Sequence, residues 1–140
     1  MILKIKMLFL LCLFVFLYGY QFDTKLDLNG DNFVYLANAK NIAENFTYTN
    51  IDGTVSYWFP PGYPVFLGLQ SLLIDSVNFY KFVNGILILF SALLIYHIRK
   101  DNTSFGAAIV FLLHPDVMRN ATTIMSEPLF IFISLVTILL

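Results

Sequence analysis

Asp27 and Asp31 flank the turn signal Asn29-Gly30. A carboxylate so placed can take a proton from a hydroxyl nucleophile, or it can cap a helix. Asp31 stands directly before an amphipathic helical pattern, where an N-cap is worth about 1 kcal/mol, and the two roles are compatible. Asp27 is its fallback as a base, or a solvated loop residue. Farther along, His114 precedes Pro115, Arg119 follows, and Glu127 lies between Ser126 and Pro128. Arginine can meet a phosphate through charge-assisted hydrogen bonds or rest among lipid headgroups. Glu127 and Pro128 suit a first helical turn behind a Ser126 N-cap, and His114 suits a helix end. Lys81 suits a lipid phosphate. His97 and His114 are isolated, so no metal-ligand spacing is present. There is no Gly-x-Ser-x-Gly, Walker loop or Rossmann glycine pattern.

The elements that must hold these residues follow from the distribution of charge. Of 140 residues, 59% are hydrophobic and 12% charged, about half the ~25% charge of soluble domains. This excludes disorder and disfavours a soluble globule. A net charge of −1 gives no basic field, so no nucleic-acid partner is expected. Cys12 is the only cysteine, which excludes an internal disulfide. The expected fold is an all-α, polytopic integral membrane protein. A bilayer core of ~30 Å takes ~20 helical residues, and spans are expected at about 2–22, 77–98, 103–118 and 128–140, with an outer loop at 23–76. No small-x-small cleavage pattern follows the first run, so it reads as an uncleaved anchor. Lys4 and Lys6 precede the first span, and Arg99 and Lys100 follow the second. With both pairs cytoplasmic, the N-terminus is inside and the loop outside. The last run is apolar up to Leu140 and too short to cross, so the chain is expected to be a fragment.

Within the loop, Tyr35, Leu36, Ala39, Ile42, Ala43 and Phe46 fall on one helical face, and Asn32, Asn38, Lys40, Asn41 and Asn45 on the other. Such a helix suits the membrane surface. Asn50 to Thr54 reads as a second turn centred on Asp52-Gly53. The prolines and glycine of Tyr57-Trp58-Phe59-Pro60-Pro61-Gly62-Tyr63-Pro64 exclude regular helix there, and its aromatics suit the headgroup level. Val65 to Ile74 is a short apolar run that fits a re-entrant or interfacial helix.

The order of Asn29-Gly30-Asp31-Asn32-Phe33-Val34-Tyr35-Leu36, Pro60-Pro61-Gly62-Tyr63-Pro64, His114-Pro115 and Ser126-Glu127-Pro128-Leu129-Phe130 resembles the N-terminal part of GT-C-fold membrane glycosyltransferases. The nearest group is the bacterial and archaeal relatives of dolichyl-phosphate-mannose protein mannosyltransferases and aminoarabinose transferases. The resemblance implies a GT-C-like helical bundle with amphipathic juxtamembrane helices in the first outer loop. It also implies transfer of a sugar from a polyprenyl-phosphate donor, in contact with membrane lipid, to a protein, lipid or glycan acceptor on the outer side. The family places an acidic residue of the first outer loop at the catalytic centre, which corresponds to Asp31, with Asp27 next to it. Arg119, Glu127, His114 and Tyr63 become candidate substrate-binding residues. No cofactor is implied, and a divalent metal is left open.

The chemistry fits those residue types. A hydroxyl attacking an anomeric carbon must lose a proton, and a nearby carboxylate both accepts it and stabilises an oxocarbenium-like transition state. The rival expectation is a non-catalytic polytopic module, either an assembly subunit or a transporter fragment. Transport is disfavoured because the charges stay away from the middle of the expected spans.

Overall fold

A computed structural model describes residues 2–25, 30–50 and 52–140. The described residues form seven α-helices and no strand: α1 (Ile2–Gln21), α2 (Asp31–Asn45), α3 (Gly62–Ser71), α4 (Val77–His97), α5 (Asn102–Leu113), α6 (Pro115–Ala121) and α7 (Glu127–Leu139). They divide into two compact units: Thr24–Tyr80, and Met1–Asp23 with Lys81–Leu140. Two helices are long and apolar enough to cross a membrane. They are Leu3–Gln21 and Val77–His97, with mean hydropathies of 1.9 and 1.8.

In the unit built from the two chain ends, Leu10 and Phe14 of α1 pack with Ile88, Ala92 and Tyr96 of α4, Ala108 and Leu112 of α5, and Met118 and Ala121 of α6. Small residues set how closely the helices approach. A Cβ on Gly85 would lie 2.6 Å from Cε2 of Tyr18, whose ring stacks on Phe14 with centroids 5.3 Å apart. Ser91 satisfies its own hydroxyl by donating to the Leu87 carbonyl at 2.7 Å, so it can be fully buried. α5 starts where Asp101 and Ser104 form a reciprocal capping box. The Ser104 amide, helped by its hydroxyl and by the Arg99 guanidinium, holds the Asp101 carboxyl below its ordinary value.

Three expectations change here. The apolar stretch at 103–118 is not one helix. His114 is extended at ψ 123°, and α6 restarts with Pro115 in its first turn, because a residue before proline is driven out of the α region. α5 alone is 12 residues, about 18 Å long at 1.5 Å per residue. Ser126 precedes α7, but its backbone is already helical and its side chain makes no capping bond. Lys81 does not turn outward. It is buried, donates to the Asp23 carbonyl at 2.7 Å, and lies over the Phe22 ring.

In the Thr24–Tyr80 unit, α2 lies against α3. Tyr35, Ala39, Tyr63 and Leu67 form the contact, with the Tyr35 and Tyr63 rings edge to face at 5.0 Å. Gly68 lets the backbones approach, since a Cβ there would sit 3.1 Å from the Ala39 carbonyl oxygen. The proline-rich segment does not exclude helix. α3 begins at Gly62 and contains Pro64, whose missing N–H falls in the first turn, where amides lack intrahelical partners anyway.

The expected faces of α2 also shift. Asn32 and Asn38 are buried from the supposedly polar side, while Phe46 is 91% exposed. Phe46 leaves the helix in the left-handed region at φ 54°, which turns its side chain off the apolar face. The N-cap is Gly30 at φ 64°, a conformation glycine adopts without a Cβ penalty, and Asp31 is the first helical residue.

If Gly85 sets the α1–α4 approach, Gly85→Leu must displace a packed aromatic ring. Overpacking of this kind costs about 1–3 kcal/mol. Thermal unfolding followed by circular dichroism in micelles is expected to show a lowered midpoint, with Gly85→Ala intermediate.

Candidate functional site

The surface that could hold a ligand is built by the chain returning over α2 after Phe46. One side chain carries most of that return. The Asn41 amide nitrogen donates to the Thr49 carbonyl at 2.8 Å, the Thr49 hydroxyl at 3.2 Å and the Asn50 carbonyl at 3.1 Å. An isolated antiparallel bridge, Thr49 to Val55, closes the expected turn. Its tip is braced by Asn50 N–H to the Thr54 carbonyl at 2.8 Å. Gly53 adopts φ 80°, the left-handed conformation that favours glycine.

Asp52 organises the same turn. Its Oδ1 accepts from the Thr54 hydroxyl at 2.6 Å and the Thr54 amide at 3.0 Å. The Thr54 hydroxyl, then its amide, hold the exposed carboxyl below the ordinary carboxylate value. The described contacts engage Oδ1 only. Ser56 is buried beneath the bridge and accepts from the Asn38 amide nitrogen at 3.1 Å.

These elements enclose an open groove of about 440 Å³, lined among others by Phe33, Asn38, Asn50, Asp52, Trp58 and Phe59. Phe33 and Asn38 come from α2, and the rest from the return loop. Trp58 is 85% exposed, whereas Asn38 is completely buried and its Oδ1 has no hydrogen-bond partner among the described residues. Phe59 is fixed by an edge-on contact with Tyr35 at 5.1 Å and by its carbonyl, which accepts from the Tyr48 hydroxyl.

The residues singled out from sequence fall in different places. Asp31 is exposed at the first turn of α2, where the helix dipole favours a negative charge. Asp27 lies outside the described residues. Tyr63 is 5% exposed and serves the α2–α3 packing rather than the groove lining. His114, Arg119 and Glu127 belong to the other unit. His114 is exposed at the α5–α6 corner. Arg119 pairs with Asp116 at 3.4 Å, both largely exposed. Glu127 opens α7 with Oε2 buried and without a hydrogen-bond partner. No described contact joins these three. No cluster of three or more His, Cys, Asp or Glu suited to a metal exists among the described residues.

Sequence reasoning passed over Asn38, Asn41, Asp52 and Trp58 as ligand-facing or site-building residues. The available signal was the asparagine-rich face of α2, too polar for a helix with an entirely solvated back. Comparison with known proteins found no matching family model, no matching curated protein and no matching solved structure.

The Asp52 contact has a pH consequence. A depressed folded pKa means that the carboxylate supports the turn fully above the ordinary value and loses that support as pH falls through the folded one. Thr54→Ala is expected to raise the Asp52 midpoint toward the ordinary aspartate value, as followed by side-chain carboxyl NMR. Asn41→Ala is expected to speed limited proteolysis between residues 46 and 56, with the α2 and α3 segments still protected.

Proposed function

We propose that this chain is part of a polytopic membrane glycosyltransferase of the GT-C type. It transfers a sugar from a polyprenyl-phosphate carrier to an acceptor at the outer membrane surface. What supports this most is the exposed carboxylate of Asp31, heading a helix in the segment that lies between two span-length apolar helices. A second support is α1 itself. Leu8, Val15 and Phe16 are exposed while Leu10 and Phe14 are buried, so its outward side calls for an apolar solvent as much as its inward side does.

In this reading Lys4, Lys6, Arg99 and Lys100 face the cytoplasm, and residues 23–76 lie outside. The acceptor hydroxyl gives its proton to Asp31 as its oxygen attacks the anomeric carbon, and the carrier phosphate leaves with the electrons of the broken bond. One displacement without an enzyme nucleophile inverts the anomeric centre. Arg119, whose partial pairing with Asp116 leaves guanidinium donors to spare, suits a phosphate group as a contact.

Membranes carrying the full-length protein and a radiolabelled polyprenyl-phosphate sugar provide the test. Asp31→Asn is expected to lower transfer by about 10²-fold or more, the usual scale of general-base catalysis, at unchanged protein level. Wild-type turnover in that variant rejects Asp31 as the base. Labelling of an introduced Asp31→Cys thiol only from the cytosolic side rejects the topology.

A further inference from the structure

We propose that the groove of the Thr24–Tyr80 unit is a saccharide-binding site that holds a neutral pyranose ring against Trp58 and Phe33. This goes beyond the transferase reading and does not rest on it.

Its chemistry is legible from what lines it. Two aromatic rings reach it from opposite parts of the fold, Phe33 from α2 and Trp58 from the return loop, at 46% and 85% exposure. Exposed aromatic faces at a cleft seek an apolar surface with polar edges, and the C–H face of a pyranose is such a surface. The polar atoms with capacity left include acceptors. Asp52 offers Oδ2, since its described contacts use Oδ1, and it is kept ionised by the Thr54 contacts. Asn38 lines the groove too, and its Oδ1 is buried with no hydrogen-bond partner among the described residues. The Trp58 indole N–H adds a donor, and a hydroxyl answers both kinds, since it donates and accepts.

Other ligand classes fit less well. Among the described residues no lysine or arginine lines the groove, so a phosphate or carboxylate would meet Asp52 with no counter-charge. A single carboxylate, with no cluster of His, Cys, Asp or Glu among the described residues, is too few ligands for a divalent metal. The groove is also preformed. The Asn41 contacts and the Thr49–Val55 bridge hold both walls before any ligand arrives, which reduces the ordering cost of binding.

Trp58 is the chain's only tryptophan, so intrinsic fluorescence reads the groove directly. The full chain, held in a detergent without a sugar headgroup, is titrated with mannotriose, maltotriose and chitotriose. At least one is expected to change Trp58 emission saturably, with Kd on the order of 1 mM. Asp52→Ala and Phe33→Ala are each expected to weaken that binding by about tenfold, the scale of one lost charge-assisted hydrogen bond or stacking contact. Phe33→Ala leaves the turn contacts in place, so a collapsed turn in Asp52→Ala does not decide the result. Asp31→Asn is expected to bind as the unaltered chain does, which separates failure of binding from failure of transfer. The proposal is overturned if none of the three sugars gives a saturable change, or if both groove variants bind as tightly as the parent. A saturable response to tetramethylammonium chloride without one to the sugars assigns the groove to cations and also overturns it. So does strong quenching of Trp58 by brominated phosphatidylcholine vesicles with no sugar response, which assigns the ring to lipid.

Discussion

The side-chain amide of Asn41 is the contact on which the Thr24–Tyr80 unit turns. Sixteen residues separate α2 from α3, and the described ones hold no regular structure except one isolated bridge, so a loop of that length needs a tether. One nitrogen meets three acceptors at the point where the chain reverses. The reversal then fixes Thr54 against Asp52, Ser56 against Asn38 and Phe59 against Tyr35. Asparagine is well suited to this because its amide can satisfy backbone carbonyls that a helix or sheet would otherwise serve. The polar back of α2 is therefore structural, and solvent is only part of its environment.

Much of the helical layout could be read from residue order. Ile2–Gln21, Val77–His97 and Glu127–Leu139 follow from uncharged runs, and the Asn50–Thr54 reversal follows from Asp52-Gly53. What stayed hidden depends on tertiary partners. Burial of Asn38 is decided by Ser56, eighteen residues away. Lys81 folds inward because the Asp23 carbonyl, fifty-eight residues away, is there to accept from it. Pro64 looks like a helix breaker until its position in the first turn is known, and Gly30 takes the cap from Asp31 through a φ value that composition does not announce.

The groove was less legible than the catalytic candidate. Asp31 stands out because a carboxylate before a helical pattern either caps the helix or is available for proton transfer. Asp52 looks like a turn residue, which it also is, and Trp58 looks like an interfacial aromatic. Only the return of the loop over α2 places a carboxylate, an amide and two rings along one concavity. Conversely, Tyr63 stands in the most distinctive sequence motif of the loop, yet its ring is spent on the contact between α2 and α3.

The closeness of Tyr18 to Gly85 bears on the order of events during synthesis. These residues are 67 apart, from 85 minus 18. At ~5–20 residues per second, the ribosome delivers the glycine roughly 3–13 s after the tyrosine. For that interval α1 must persist without the neighbour that covers its aromatic ridge. On the solitary helix Phe14 and Tyr18 are both open, whereas in the folded unit Phe14 is buried and Tyr18 half-buried.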